Sequence, residues 1–323
     1  MSHIVRNESE MRIMGAHEGI VWPVLLTQLP GDASETLLIS GAADPEYRLR
    51  AWNIVTGQLR WELPRGSLAD GCFGLVAAQS TAGVGILAAG TEAGVARWDV
   101  RTGLPLQAPS NEIPRSIWGV DAYVSGNGRA LLVGAGNDHL VYRWDAATGA
   151  EVGRPLEGHY GSVKCVAVHA AHGHSPVVFS GGDDGYIRRW DGTTGDYLGG
   201  WEVSAAEVAD IKVTATDGGG VIVSCADIEG VIYRFDAVSG KTIGDPLEVE
   251  GERVSSLCAA KFEGRPHFIV AYDSGVVRQW DVAAGALVDE SPIGISVATL
   301  QDSSGRTLVG YGTMDGDIAI RLL

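Results

Sequence analysis

Ser180, His159 and Asp184 supply the residue types of a nucleophilic hydrolase: a hydroxyl, an imidazole to take its proton and a carboxylate to orient the imidazole. Trp190 follows them, and His17, Ser40, Glu46 and Trp52 repeat the same order of types earlier in the chain. No Gly-x-Ser-x-Gly elbow surrounds either serine. Acid–base chemistry is a second option, from Asp121, Asp210, Lys164, Tyr160 and Arg115, provided they converge in a closed apolar pocket with strongly shifted pKa values. His169, His172 and His174 make a His-rich turn, yet no Cys or carboxylate is spaced to complete a metal shell. Ser239-Gly240-Lys241-Thr242 ends like a phosphate loop, but Phe235 stands where its first glycine belongs. Cys72, Cys165, Cys225 and Cys258 lie in apolar segments without a Cys-x-x-Cys pair and read as buried, inert thiols. No metal or cofactor motif is complete, so the expectation is a protein without metal, cofactor or catalytic activity.

The elements that must hold these residues follow from composition and repetition. A length of 323 residues would make two domains at a norm of about 150 each. Hydrophobic residues make up 45% and charged residues 20%, which excludes disorder and allows a large core. The net charge of −16 repels phosphate backbones, so nucleic acid and anionic membrane are excluded as expected partners. The amino terminus is polar and lacks a signal-peptide core, and the expected compartment is the cytoplasm.

The chain then repeats itself. Arg97-Trp98-Asp99-Val100-Arg101-Thr102-Gly103 shares its template with segments around Trp52, Trp144, Trp190, Phe235 and Trp280. Successive aromatics lie 46, 46, 46, 45 and 45 residues apart. An acidic residue precedes the aromatic by six positions in most units, and Asp315 with Arg321 fits the frame as a seventh. Within the fourth unit, residues 162–168, 176–180, 186–190 and 196–201 read as four short strands. Asp183-Asp184-Gly185 and Thr193-Thr194-Gly195 punctuate them as hairpin turns. No long helical period appears, so the chain is all-β.

Gly158-His159, followed by Ser180-Gly181-Gly182-Asp183-Asp184-Gly185-Tyr186-Ile187-Arg188-Arg189-Trp190-Asp191, resembles a complete repeat of the WD-repeat β-propeller family, in its bacterial stand-alone type. The resemblance covers essentially the whole chain. It implies a four-stranded antiparallel blade per repeat, hence one seven-bladed propeller domain over residues 1–323. The last unit ends after its third strand, so residues 10–14 are expected as the outer strand of blade seven, closing the ring. The resemblance also implies that His159, Ser180, Asp184 and Trp190 form a structural hydrogen-bonded tetrad. His17, Ser40, Glu46 and Trp52 would be a weaker copy, because Asp44-Pro45 is inserted and Glu replaces Asp.

Four arginines, Arg97, Arg143, Arg189 and Arg234, precede the aromatic in consecutive units. They read either as an anion-binding arc or as ion pairs between blades, and the abundance of Asp and Glu favours ion pairs. Alignment of the first strands places Trp22, Gly74, Trp118, Lys164, Ala209 and Ser255 at one register, which in the family lies near the channel mouth. Trp22, Trp118, Lys164, Arg115 and Tyr160 are therefore the candidate partner-binding residues of a monomeric, non-catalytic scaffold for a protein or peptide. Trp118 is favoured because the irregular loop Asn111–Arg115 precedes it. An acidic surface further favours a partner presenting Arg or Lys. The alternatives are an enzyme with its pocket at the channel mouth and, more remotely, a PQQ-type quinoprotein, whose repeat Ala51–Trp61 faintly resembles. Seven units, no vicinal Cys pair and no export signal stand against the last.

Overall fold

The computed structural model describes residues 3–6, 10–42, 45–68, 71–107, 115–171, 173–216, 218–248, 251–291, 294–302 and 304–323, in which every regular element is a β-strand. Seven antiparallel sheets follow one another along the chain. Their inner strands are Val21–Leu29, Gly74–Gln79, Ile117–Val124, Val163–His169, Val208–Ala215, Val254–Phe262 and Ser296–Gln301. Each inner strand packs against the next and the last against the first, so the sheets are the blades of a closed seven-bladed propeller.

Blade seven obtains its outer strand from the other end of the chain. Glu10–Met14 pairs with Ile318–Leu322, Glu10 opposite Arg321 and Ile13 opposite Ile318. Closure by residues 10–14 is therefore as expected. His3–Arg6 adds a fifth strand that the sequence does not announce. Blades two and five depart from four strands: their outer segments make only isolated bridges, Trp98–Pro105 in one and Phe235–Thr242 with Ile232–Leu247 in the other. Pro105 and Pro246 lack the N–H that a continuous ladder requires.

The core consists of wedges between blades rather than one central mass. Leu37, Ile39, Trp61, Leu87 and Trp98 fill the wedge between blades one and two, for example, and Val133, Val141, Val166, Val178 and Trp190 that between three and four. Second strands such as Gly85–Thr91 and Ala130–Gly136 are buried at every residue, because a neighbouring blade covers each face. This explains why those strands read as continuous apolar runs instead of alternating.

The Trp-Asp turn has a local cause and a long-range consequence. The aspartate oxygen of Asp145 accepts the Thr148 N–H at 2.7 Å, and Asp191 accepts Thr193 and Thr194 at 2.8 Å each. Gly149 and Gly195 then take φ of 76° and 86°, in the left-handed region. The turn so formed points backbone carbonyls at the previous blade. The arginine series meets them. Arg97 donates to Ala146 O and Ala147 O at 2.8 and 2.9 Å, and Arg143 to Gly192 O and Thr193 O at 3.0 and 3.3 Å. Arg189 reaches Ala237 O and Val238 O at 2.8 and 2.7 Å, and Arg234 reaches Val282 O at 2.9 Å. Across these seams the guanidinium clasps main-chain oxygens of the next blade's turn, where the sequence favours carboxylates.

Two other seams are clasped by different donors. Blade one has Ala51 in place of arginine, and the Trp61 indole donates to Val100 O at 2.9 Å. Between blades seven and one the donor is Arg6 of the extra strand, on Val55 O. The turn glycines fit closely beneath these groups: a Cβ on Gly149 would lie 2.3 Å from Arg97, and one on Gly195 would lie 2.5 Å from Arg143.

Removing one clasp should loosen the ring measurably. Arg143→Met keeps the apolar stem but removes the guanidinium from Thr193 O and leaves Gly192 O to the Tyr123 hydroxyl alone, which should cost about 1–3 kcal/mol in urea denaturation. A loss below about 0.5 kcal/mol, the size of a neutral surface change, would show that the clasp contributes nothing.

Candidate functional site

In blade four the entering loop supplies His159, the second strand Ser180, the following turn Asp184 and the third strand Trp190. Ser180 Oγ accepts the Trp190 indole N–H at 2.9 Å and lies 2.7 Å from His159 Nε2. Its own hydrogen is thus directed to Nε2, leaving Nδ1–H to donate to Asp184 at 3.0 Å. Asp184 also accepts the Tyr160 N–H at 3.0 Å and Arg188 at 2.6 Å. Ser180 is fully buried, so no substrate reaches the hydroxyl.

Blade one carries the same geometry. His17 meets Glu46 at 2.6 Å and Ser40 at 2.8 Å, and the Trp52 indole donates to Ser40 at 2.9 Å. The carboxylate contact is shorter than the 3.0 Å of blade four, the indole contact equal and the serine contact longer, at 2.8 against 2.7 Å, so the copy is not looser as a whole. The longer Glu46 side chain reaches His17 and also accepts from Arg48 and Arg50 at 3.1 and 2.9 Å. Asp44 of the insertion lies outside the described residues. Burial drives the His17 imidazole down to about 4, and it lowers His159 as well. Burial alone would raise Glu46 and Asp184; for both, hydrogen bonds and adjacent cations outweigh it and hold the carboxyl below its ordinary range. Both histidines are therefore neutral near pH 7, bracketed by carboxylate and hydroxyl.

The central channel opens into a cavity of about 410 Å³. Its mouth is formed by the first residues of the inner strands, at the end that also bears the loops between blades. Trp22, Trp118, Lys164, Ala209 and Ser255 share a register there, each beside a one-residue irregularity in strand pairing. Blade two has no such irregularity, since Gly74 pairs directly with Gly90. The place assigned to Gly74 consequently belongs to Phe73, a site residue that sequence alignment misses by one position. Phe73 stacks on Trp118 with ring centres 4.8 Å apart, and the Lys164 ammonium sits 4.3 Å from the Trp118 ring centre. Trp22 and Trp118 are both half-buried.

Lys164 is held besides by Asp183 at 3.3 Å and Glu207 at 3.6 Å. Burial, with the adjacent Asp183 carboxylate, raises Glu207 against the pull of Lys164. Around this centre the turns after the second strands present exposed carboxylates in six blades: Glu92, Asp138, Asp183, Glu229, Asp273 and Asp315. No Lys or Arg stands in those turns.

The proposed acid–base set does not converge. Of its members only Asp210 and Lys164 line the cavity. The Asp121 carboxylate is taken up by the N–H groups of Ala122 and Val168, both at 2.7 Å, and burial raises its pKa. Arg115 lies over the Tyr142 ring at 4.2 Å and pairs with Glu151 at 2.8 Å, away from the mouth. Tyr160 is 86% exposed on the blade-four loop, outside the cavity. Deeper in the channel, Lys212 donates to Asp210 at 2.6 Å, and this carboxylate outweighs burial to keep the ammonium charged. Residues 111–114 of the loop before Arg115, and His172 of the His-rich turn, lie outside the described residues.

Comparison with known proteins agrees with the architecture. The family model of the WD domain, G-beta repeat, matches residues 150–191, the stretch that contains the whole blade-four tetrad. No curated protein matches the sequence. Among solved structures, the computationally designed Ika8 protein superposes with a TM-score of 0.63 at 19% identity, over 96% of this chain and 98% of that one. At that identity the likeness concerns fold alone.

The tetrads should govern stability and its pH dependence. His159→Ala leaves Ser180 and Asp184 without their partner and should cost about 2–4 kcal/mol, read by urea denaturation at pH 7.5. Unchanged stability would overturn that role. For His17, the unfolded chain takes a proton below about 6.5, whereas the folded one resists until about 4. Unfolding therefore takes up a proton in this window, and stability falls with pH, by about 2 kcal/mol from this residue between pH 7.5 and 5. The depressed Glu46 and Asp184 act in the same direction at lower pH, their contribution being lost below their ordinary values of 4.5 and 3.8. His17→Asn should flatten the slope between pH 7.5 and 5; an equal slope in both proteins would exclude His17 as its source.

Proposed function

We propose that this propeller is a non-catalytic interaction module whose channel-mouth face binds a basic segment of another protein. The observation that carries the reading is the joint placement of half-buried Trp22, Phe73 and Trp118 inside a ring of six exposed carboxylates. Aromatic side chains at a partly desolvated centre are the commonest source of binding energy at protein interfaces. A rim of one charge sign accelerates encounter with a partner of the other and sets orientation. The WD-repeat match supports the coarser part of this reading, because propellers of that kind commonly mediate contacts between proteins. The buried serines and the scattered acid–base set give an enzyme reading nothing to work with at this face.

The test is fluorescence anisotropy with labelled peptides of matched length, one set rich in Arg and Lys and one rich in Glu. The basic set should bind, more weakly as salt rises, and the acidic set should not. Trp118→Ala and Trp22→Ala should each weaken binding by roughly 30-fold, the size of an interface hot spot. Glu92→Gln with Glu229→Gln, which are exposed carboxylates of the rim, should reduce the salt dependence. Equal binding of both peptide sets, or none of either, would overturn the reading.

A further inference from the structure

Lys164 occupies the mouth in the manner of a bound ligand. Its ammonium lies 4.3 Å from the Trp118 ring centre, 3.3 Å from Asp183 and 3.6 Å from Glu207. These groups come from three separate elements: the inner strand of blade three, the turn between the second and third strands of blade four, and the loop entering blade five. An aromatic face with two carboxylates beside it is a recognition site for an organic cation. The two carboxylates remain partly accessible, 38% and 29% exposed, and burial together with Asp183 already disfavours charge on Glu207. Two carboxyl groups thus face a single ammonium. Lysine is also scarce in this chain, standing at positions 164, 212, 241 and 261 alone.

We infer that Trp118, Asp183 and Glu207 form a subsite for a single basic side chain of the partner, and that Lys164 caps it until that side chain displaces it. This rests on the reading of the mouth as a site for a basic segment and adds its mode of regulation. Arginine is the favoured occupant. Its planar guanidinium stacks on an indole and can donate to each carboxylate through separate N–H groups, whereas the Lys164 ammonium stands 3.3 and 3.6 Å from them, too long for good hydrogen bonds. The capping lysine loses little when released, since its contacts to the two carboxylates are long, single-point and only partly buried. A partner lacking a cation at this point must leave the cap in place and forgo the subsite, so the cap discriminates between ligands.

The probe is N-acetyl-arginine amide, with uncharged N-acetyl-citrulline amide as its control, followed by the shift of the Trp118 indole N–H resonance. Lys164→Met, which keeps the apolar stem against Trp118, should bind the arginine probe about tenfold more tightly than the unaltered protein. Asp183→Asn with Glu207→Gln should abolish that gain, and citrulline should not bind either protein. A second measurement needs no substitution: Lys164 should be acylated faster by an amine reagent when the probe is present, while Lys241 and Lys261 are unaffected. Equal affinity of Lys164→Met and unaltered protein, equal binding of citrulline, or protection of Lys164 by the probe would each overturn the capping role. If basic peptides still bind in a Trp22-dependent way under those results, the capping role falls alone. If neither peptide nor probe binds either protein, the reading of the mouth falls with it.

Discussion

A guanidinium held against the carbonyls of the next blade's turn is the contact on which this ring depends. A blade cannot bury both of its faces by itself, and apolar wedges between blades have no directionality to fix their angle. The clasp supplies it. Arg97, Arg143, Arg189 and Arg234 each span one seam and bind oxygens whose positions are set by a Trp-Asp turn one repeat further on. The turn in turn depends on glycine, both for its positive φ and because a side chain would strike the arriving group. Where arginine is missing, Trp61 and Arg6 satisfy the same need from other strands. One geometric requirement thus recurs at successive seams with different residues answering it.

This division of labour has consequences for the two kinds of polar cluster. The tetrads of blades one and four hold the residue types of a hydrolase in a buried, internally bonded arrangement. Ser180 and Ser40 are fully buried, and each hydroxyl accepts an indole N–H while facing an imidazole. The neutral, doubly bonded histidines tie a loop to a strand, so the cluster is satisfied internally and has nothing left to offer a substrate. The mouth is the opposite case. Its aromatics are half-buried, its rim carboxylates are exposed, and the Lys164 ammonium beside Trp118 is held by long contacts of 3.3 and 3.6 Å. Since the seams carry the stability, the mouth is free to keep groups whose interactions are incomplete within the molecule.

Several features were legible from residues alone because they are local and repeated. The aromatic spacing of 45 or 46 residues, the Asp three residues before a Ser or Thr, and the glycine that follows specify a turn within a handful of positions. Seven units with a leftover first strand then require closure by residues 10–14, since any other arrangement leaves an open edge. Tetrad membership was readable for the same reason, with His, Ser, acid and Trp at fixed offsets in one unit.

What residues alone could not decide concerns contacts between units and register within the inner strands. The partners of the arginine series across the seam lie 48 to 51 residues away and are main-chain oxygens, to which no side-chain pattern points. The fifth strand His3–Arg6 is too short to announce itself, and its reason, Arg6 on Val55, exists only once the ring has closed. Phe73 was missed because five inner strands share a bulge that blade two lacks, and one extra residue moves every side chain to the other face. Arg115 was misplaced because Tyr142 and Glu151, which hold it, become neighbours only when the blade folds. The sequence by itself determined the number of blades, their turns and the closure, all consequences of short-range geometry repeated at a constant period. The tertiary structure alone decided which groups meet across a seam and which side chains reach the mouth, because both depend on register and on backbone atoms that carry no residue identity.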